Sequence, residues 1–333
     1  MEQKKTCRWA ALSLSNIASV FLPDLLGRED AEYDHKLVAI STTGSNERAQ
    51  KWLKDNKIPD HDSVVVYNSW ERMLEEADFD IVYISTPHPL HYEGILKAIE
   101  CKRNILVEKP ATMNAAQYRR CIELANQQGV VMMEAMWTRY LPATRYLKEE
   151  LLPKIGKVRR VFSDFSFPIV GPDLQDTSRF LDKSAGAGAL LDQGVYALTW
   201  VDLALNGLEI GATNVVHSSS WSVPERPGEV DDINTVVLAN KGATAIVTTS
   251  MTIPGSSQPR ATDPASTADE HSEAEQPAAA DEMLQWQAEP SRPWWSKILP
   301  PGTCRVVHVS APVLASATPA VARRVLSAIL QVQ

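Results

Sequence analysis

The sequence places one lysine where an apolar run ends and a proline follows. Ile-Leu-Val at 105–107 is typical of a strand buried on both faces, and Glu108, Lys109 and Pro110 come directly after it. A proline restricts the residue before it to extended backbone, which fixes where the Lys109 side chain leaves the strand. Ligands bind beyond the carboxyl ends of such strands, so Lys109 lies where chemistry is expected. An ordinary surface lysine at a strand end is the alternative interpretation.

Two further residues suit proton transfer. Asp192 and Tyr196 are four apart in a segment that predicts a helix, so we expect them on one face. A phenol titrates at about pH 10 in isolation and needs a nearby cation to act as a base around neutrality. A tyrosine packed in the core, with Asp192 as a solvated partner, is the alternative interpretation.

The residues that suit chemistry lie in a chain whose first part alternates strands and helices. Apolar runs predict strands at 7–12, 36–41, 63–67, 80–85, 104–108 and 130–135. Amphipathic segments between them, such as 46–56, 69–77 and 115–128, predict helices. This alternation is typical of an α/β fold with a doubly wound parallel sheet, which we assign to residues 1–136.

The pattern changes after residue 136. Segments 157–167, 212–223 and 233–253 alternate apolar and polar residues, which predicts an open, mainly antiparallel sheet, and 187–207 predicts a helix. Residues 137–253 therefore form a predicted second α/β domain. Residues 254–292 have the composition of a flexible low-complexity linker. The tail 293–333 contains a predicted strand at 304–313 and a predicted short helix at 319–330.

Bulk properties exclude several classes of partner. The net charge is −8 without a basic block, which argues against nucleic acid and anionic membranes. No apolar run reaches membrane-spanning length, and the start of the chain predicts a strand entering a helix rather than a signal peptide. The four cysteines are scattered, which favours reduced thiols in the cytoplasm. His88 and His91 are three apart without further ligands, so we predict no metal site.

Four motifs in order resemble the glucose–fructose oxidoreductase/inositol dehydrogenase (Gfo/Idh/MocA) superfamily. They are TPHPLHYE (86–93), VEKP (107–110), MEAMWTRYLP (133–142) and GALLDQGVY (188–196), and the resemblance covers about residues 7 to 252. Within the superfamily, the sequence is most similar to the branch of dimeric dihydrodiol dehydrogenases and fungal NADP-dependent D-xylose dehydrogenases. The resemblance implies that residues 1–136 are a dinucleotide-binding Rossmann domain, that residues 137–253 are an α/β substrate and oligomerisation domain with a large open sheet, and that the protein is a homodimer.

The resemblance also implies a reaction and its residues. Hydride moves between nicotinamide and a carbinol carbon of a sugar or a cyclic trans-diol, while one group takes the hydroxyl proton. Lys109 is then the cation beside Tyr196, and Asp192 orients the substrate or the tyrosine. The implied cofactor contacts include Thr86, Pro87, His91 and Glu108, and the implied substrate contacts are Trp137, Arg139, Phe165 and Arg179.

The phosphate loop departs from the expected glycine pattern. In RWAALSLSNIA, Ser13 stands at the first position of the dinucleotide fingerprint, Ser15 at the second and Ala18 at the third, with Asn16 and Ile17 in the same loop. A side chain at Ser15 points where the pyrophosphate is expected, so we predict weakened binding.

The cofactor is predicted from the segment after the second strand. Enzymes that bind NAD usually place an acid there for the ribose 2′-hydroxyl. This chain has hydroxyl groups instead, followed by Arg48, and such a set favours the 2′-phosphate of NADP; the hydroxyl groups are those of Ser41, Thr42, Thr43 and Ser45. A plain polar turn is the alternative interpretation.

Two rival functions stay open at this point. The first is a degenerate paralogue that binds a ligand or partner without turnover, and the second is an oxidoreductase of specialised metabolism acting on a non-sugar carbonyl. The presumed substrate wall, residues 165–180, does not distinguish them. Residues 254–333 do not match the further strands of the resembling proteins, which indicates either a divergent tail or a disrupted reading frame.

Overall fold

The computed structural model describes residues 5–27, 33–171, 173–205, 207–208, 213–224 and 228–255, and the backbone of 306–310. The chain divides into two compact units. The first comprises Met1–Met136 with Ser184–Gly186, and the second comprises Trp137–Lys183 with Ala187–Gln333.

Strands and helices alternate along the first unit. The strands are β1 (Thr6–Leu12), β2 (Asp34–Ser41), β3 (Val65–Tyr67), β4 (Ile81–Ile84), β5 (Asn104–Val107) and β6 (Met132–Glu134). The helices are α1 (Ala18–Leu26), α2 (Asn46–Asp55), α3 (Trp70–Glu76), α4 (His88–Glu100) and α5 (Ala115–Gln128). The described strands form one sheet in the order β3-β2-β1-β4-β5-β6, and all its pairings are parallel. The predicted doubly wound sheet is confirmed.

Burial on both faces explains why these strands are apolar throughout. Adjacent strand residues point to opposite faces, and Val82 and Tyr83 of β4 accordingly belong to different core clusters. Local signals fix the helix ends: Ser45, Ser69 and Asn114 each accept a hydrogen bond from a backbone N–H in the first turn of α2, α3 and α5. Helix α5 ends at Gly129, whose φ of 67° suits glycine.

The second unit combines short helices with a mixed sheet. Its helices are α6 (Pro142–Tyr146), α7 (Leu152–Ile155), α8 (Ala189–Asp192) and α9 (Gly194–Ala204), with a π-helical turn at Leu147–Leu151. Its strands are β7 (Arg160–Asp164), β8 (Thr213–Ser222), β9 (Asp231–Asn240), β10 (Ala243–Thr249) and β11 (Val306–Ser310). The described strands have the order β11-β7-β10-β9-β8, and α9 buries Trp200 and Val201 in a cluster with residues of β7 and β10.

The predicted α/β class with a mainly antiparallel second sheet is confirmed, with one refinement. Strand β9 runs antiparallel to both β8 and β10, whereas β7 pairs in parallel with β10 and with β11. Alternation along a strand indicates that one face is more exposed, but it carries no information about the direction of the neighbouring strand.

The prediction of one helix over 187–207 is wrong at its centre. The segment divides at Gln193 into α8 and α9, although the φ of −111° and ψ of −36° of Gln193 still lie in the right-handed helical region. The physical reason is tertiary, because the Gln193 side chain donates to the Phe167 carbonyl oxygen at 2.9 Å and accepts from the Thr249 hydroxyl at 3.3 Å.

The predictions for the C-terminal part fall mostly outside the described residues. The linker 254–292, apart from residues 254 and 255, and the helix 319–330 lie there. Of the tail 293–333, the structure describes only the backbone of β11, which lies within the predicted strand 304–313 and pairs in parallel with β7.

Candidate functional site

The loop after β1 places a serine in a backbone conformation that glycine prefers. Ser13 adopts a φ of 83°, in the left-handed region that glycine prefers, and its N–H donates to the Ser41 carbonyl oxygen at 3.3 Å. A side chain in this region costs on the order of 1 kcal/mol. The chain therefore keeps a glycine-like conformation at the first fingerprint position without the glycine.

The Ser15 side chain forms a hydrogen bond with the N-terminus of helix α1. Its hydroxyl oxygen accepts a hydrogen bond from the Ala18 N–H at 3.1 Å, at the start of α1. Free N–H groups at a helix N-terminus are the donors that a pyrophosphate uses. The Ser15 hydroxyl thus takes up the Ala18 N–H, which is one such donor. Asn16 and Ile17 are exposed in the same turn.

The segment after β2 gathers hydroxyl groups and a guanidinium. Thr42 Oγ1 accepts from the Gly44 N–H at 3.0 Å, and Ser45 Oγ accepts from the Arg48 N–H at 3.3 Å. The Arg48 side chain folds over Gly44, where an added Cβ would lie 3.3 Å from Arg48 Cδ. The Thr42 hydroxyl keeps its own O–H to donate to a phosphate ester, whereas the Ser45 O–H already donates to the Glu47 carboxylate. Ser41 is buried at the strand end.

The loop between β4 and α4 contains a hydroxyl group, that of Thr86, which has no hydrogen-bond partner among the described residues, and its backbone contacts the ring of His91 of α4. Thr86 Oγ1 is buried and has no hydrogen-bond partner within the described part of the chain, while Pro87 is exposed. His91 is fully buried, with Nε2 2.7 Å from the Thr86 carbonyl oxygen and Nδ1 2.9 Å from the Pro110 carbonyl oxygen. Burial lowers the pKa of His91. The ring thus links two loops, and Thr86 retains a donor for a bound ligand.

Two half-buried carboxylates, Glu108 directly after β5 and Glu134 at the end of β6, interact near Lys109. Glu108 Oε1 accepts from the Tyr83 hydroxyl at 2.7 Å, and Glu134 Oε1 accepts from the Ala111 N–H at 2.8 Å. Burial raises the pKa of Glu108, and the Tyr83 hydrogen bond opposes that shift. Lys109 is half-buried next to it. These groups lie at the carboxyl ends of β4, β5 and β6, the edge where parallel sheets bind ligands.

In the second unit, Asp192 is a buried carboxylate with a cationic partner. It is 5% exposed, and its Oδ2 lies 3.4 Å from Arg179 Nη1. The turn that carries it is capped from β9, because Asp231 Oδ2 accepts from the Leu190 N–H at 2.8 Å. Gly188 has a φ of 129°, and a Cβ there would overlap the Asp231 carboxylate.

Tyr196 lies in an aromatic cluster. Trp137 Nε1 donates to the Tyr196 hydroxyl oxygen at 3.2 Å, and the Phe165 ring stacks on the Tyr196 ring at 4.5 Å between centroids. Arg139 points elsewhere and forms an ion pair with Asp202 of α9 at 2.8 Å. The structure therefore brings Trp137, Phe165 and Tyr196 together and pairs Arg179 with Asp192.

A pocket of about 700 Å³ opens in the presumed substrate wall. Its lining is mostly apolar, with one carboxylate at Asp173 and one hydroxyl at Thr252. It begins one residue beyond Phe167, whose carbonyl oxygen holds Gln193. The remaining lining residues are Pro168, Ile169, Val170, Gly171, Leu174 and Pro224.

Sequence reasoning missed Tyr83, Glu134 and Asp231. A tyrosine within the apolar run of β4 was a signal, because a buried hydroxyl requires a partner. Asp231 is the first residue of β9 and offered no comparable signal, since its partner Leu190 is 41 residues away.

Three observations bear on metals, thiols and membranes. No group of three or more His, Cys, Asp or Glu residues suited to a metal occurs among the described residues. Cys7, Cys101 and Cys121 are free thiols. In the described part of the chain, no helix has both the length and the apolarity needed to span a membrane.

The fold and these residues define a two-domain protein with a dinucleotide-binding sheet. The family model for the "Oxidoreductase family, NAD-binding Rossmann fold" matches residues 10–136, and that for the "GFO/IDH/MocA C-terminal domain" matches 153–262. The chain belongs to the Gfo/Idh/MocA oxidoreductase family.

Over the aligned segments, individual relatives are about a third identical to this chain. It is 33% identical over 216 residues to the D-xylose 1-dehydrogenase (NADP(+)) of Hypocrea jecorina, covering 61% of this chain and 54% of that protein. It is 30% identical over 239 residues to the trans-1,2-dihydrobenzene-1,2-diol dehydrogenase of Mus musculus, covering 71% and 65%. The matched part thus spans between about half and two thirds of these relatives' lengths.

A solved structure shows the same fold. The 3-ketoreductase KijD10 from Actinomadura kijaniata, in complex with NADP and TDP-benzene, matches with a TM-score of 0.63 and 25% identity, covering 75% of this chain and 71% of that one.

Proposed function

We propose that this protein is an NADP-dependent dehydrogenase that acts on the CH–OH group of a sugar or a cyclic trans-diol. The observation that carries the proposal is the polar set at the carboxyl ends of β1, β2, β4 and β5 in a Rossmann-ordered sheet. The names of the D-xylose and dihydrobenzenediol dehydrogenases, which the chain resembles, support the substrate class.

The first unit has the groups to hold NADP. The α1 N-terminus faces the pyrophosphate in this assignment, the Thr86 hydroxyl donates to the nicotinamide side, and Glu108 accepts from a ribose hydroxyl. Thr42 and Arg48 take the 2′-phosphate. Bound NADP supplies the hydride acceptor for alcohol oxidation.

The second unit supplies the proton acceptor in this proposal. As the substrate carbon gives up its hydride to the nicotinamide, the substrate hydroxyl proton passes to the oxygen of Tyr196 in its phenolate form, which becomes the neutral hydroxyl; the Trp137 indole N–H donates to the same oxygen. Asp192, with its charge paired to Arg179, orients the substrate hydroxyls. Lys109 holds the substrate oxygen and supplies positive charge for the developing alkoxide.

A homodimer in the cytoplasm completes the proposal. Strand β8 is an edge of the described sheet and exposes Val215, Val216 and Trp221 by 64%, 64% and 70%. Exposed apolar side chains on an edge strand favour association with a second copy of the chain. The free thiols of Cys7, Cys101 and Cys121 support a reducing compartment.

The test combines cofactor binding with a substrate panel. NADPH and NADH are titrated into the full chain by fluorescence, and reduction of NADP is then followed with D-xylose, other aldoses, cyclic trans-diols and simple ketols. We expect NADPH to bind more tightly than NADH and at least one aldose or diol to be oxidised. Binding without turnover of any substrate in the panel contradicts the dehydrogenase proposal.

A non-catalytic paralogue is the second candidate, favoured by the phosphate loop. Ser13 adopts a glycine-like φ, and Ser15 occupies the Ala18 N–H. The second feature weakens a dinucleotide site, because the Ser15 hydroxyl uses an N–H that a pyrophosphate would need. If NADPH binds only at millimolar concentrations and no substrate is turned over, this second candidate replaces the first.

A further inference from the structure

Tyr83 is a polar residue at the centre of an apolar sheet. It is fully buried in β4, where Ala11 of β1 and Leu106 of β5 are its register partners. Its ring packs on Phe21 of α1 at 4.6 Å between centroids. A buried hydroxyl is retained at such a place only when it has a hydrogen-bond partner, because an unmade bond costs about 1–3 kcal/mol.

The partner follows from strand geometry. Leu106 lies directly beside Tyr83, and residues two apart on a strand point to the same face, so Glu108 comes to the same side as the Tyr83 ring. The Tyr83 hydroxyl donates to Glu108 Oε1 at 2.7 Å. The hydroxyl proton is thus directed at a carboxylate, and such a charge-assisted bond is stronger than a neutral one.

The charge on Glu108 is set by few groups. Burial raises the pKa of Glu108, and nearby Glu134 raises it further. The Tyr83 hydrogen bond, the Lys109 ammonium and the Lys109 backbone N–H lower it. Phe21, packed on the other side of Tyr83, carries no charge. The tyrosine is therefore one of the groups that favour the ionised form of the half-buried Glu108 carboxyl group.

We propose that Tyr83 is a positioning residue that keeps Glu108 ionised and aimed, and that the charge on Glu108 sets the pH range in which the protein binds NADP. The second half rests on the proposed function. An ionised carboxylate is an acceptor at both oxygens, so with Oε1 bound to Tyr83 it offers Oε2 to a ribose hydroxyl. Protonation removes one acceptor and the negative charge, and affinity falls as the pH falls through the pKa of Glu108.

Tyr83→Phe isolates the hydroxyl because the ring and its contact with Phe21 are kept. Tyr92→Phe is the matched control, since Tyr92 is a half-buried tyrosine in α4 of the same unit. The protonation of Glu108 is followed directly by NMR of the full chain labelled with ¹³C at glutamate carboxyls, with the signal assigned by its loss in Glu108→Gln. NADPH affinity is measured by fluorescence over the same pH series.

We expect the Glu108 midpoint to rise by about one pH unit in Tyr83→Phe and to stay in place in Tyr92→Phe. The pH at which NADPH affinity begins to fall should rise by the same amount. Glu108→Gln should bind NADPH about tenfold more weakly, without that pH dependence.

Each contrary result has its own meaning. An unchanged Glu108 midpoint in Tyr83→Phe overturns the proposal, and a shifted midpoint with an unshifted affinity curve overturns its cofactor half. If the unaltered protein binds no NADPH at any pH, the proposed function fails, while the carboxyl titration still decides the link between Tyr83 and Glu108. If Tyr83→Phe does not fold, Glu108→Gln decides: affinity and pH dependence like those of the parent overturn the proposal.

Discussion

Replacing Ser15 by glycine is expected to change affinity and stability in opposite directions. The substitution removes the hydroxyl that accepts from the Ala18 N–H at 3.1 Å and leaves that amide for the pyrophosphate. A hydrogen bond to a charged group is worth about 1.5–3 kcal/mol, and part of it is offset by the lost serine donor. A net gain of about 1–2 kcal/mol corresponds to roughly tenfold tighter NADPH binding.

The same change weakens the free protein. Loss of a serine cap to glycine costs a few tenths of a kcal/mol, and the freer backbone adds about 0.5–1 kcal/mol. We therefore expect Tm without ligand to fall by about 2–4 °C. NADPH titration by fluorescence and thermal unfolding with and without NADPH measure the two effects separately.

Two comparison variants separate the causes. Ser69→Gly removes an equivalent cap, in which Ser69 Oγ accepts from the Arg72 N–H at 3.2 Å, at α3 of the same unit. It should lower Tm without changing affinity. Ser15→Ala frees the Ala18 N–H but keeps Cβ. If NADPH binds more tightly to both Ser15 variants, the gain comes from the freed N–H. If it binds more tightly only to Ser15→Gly, the gain comes from removing the crowding by Cβ. Binding no tighter in Ser15→Gly than in the parent refutes the argument.

Three other substitutions test the remaining parts of the site. Lys109→Met keeps side-chain length but removes the ammonium. Steady-state kinetics should show turnover lower by about two to four orders of magnitude, with NADPH affinity nearly constant. Retained activity would exclude a catalytic role for Lys109. Arg48→Ala should weaken NADPH binding about tenfold and leave NADH binding unchanged in the same titration, and equal losses for both would count against a 2′-phosphate site. Trp137→Phe keeps the aromatic packing but loses the N–H that donates to Tyr196. The kcat should therefore fall up to about tenfold without a change in NADPH affinity. An unchanged kcat would show that Trp137 takes no part in the mechanism.

The alternating half of the fold is predictable because its signals are local. Strands such as Ile81–Ile84 and Asn104–Val107 are apolar since both faces are covered, and helices such as Asn46–Asp55 begin at a capping serine. Both signals occupy fewer than a dozen adjacent residues, so they can be recognised in the sequence alone.

Features that depend on contacts between residues far apart in the chain could not be predicted from the sequence. The sequence indicated that Ser15 would crowd a phosphate, but the direction of its hydroxyl depends on the turn into α1. The break at Gln193 depends on Phe167 and Thr249, which lie 26 and 56 residues away. The partner of Tyr83 is 25 residues distant, and only the register of β4 and β5 brings it near.

The close approach of Gly188 to Asp231 has a consequence for how this protein can diverge. Any side chain at Gly188 meets the Asp231 carboxylate, and any loss of that carboxylate leaves the Leu190 N–H without its acceptor. Neither position can change first without a defect in the turn that leads to Asp192, although a smaller residue at 231 would make room at 188. The two sites are therefore epistatic, and lineages or libraries that vary one should recover function only through paired changes at the other.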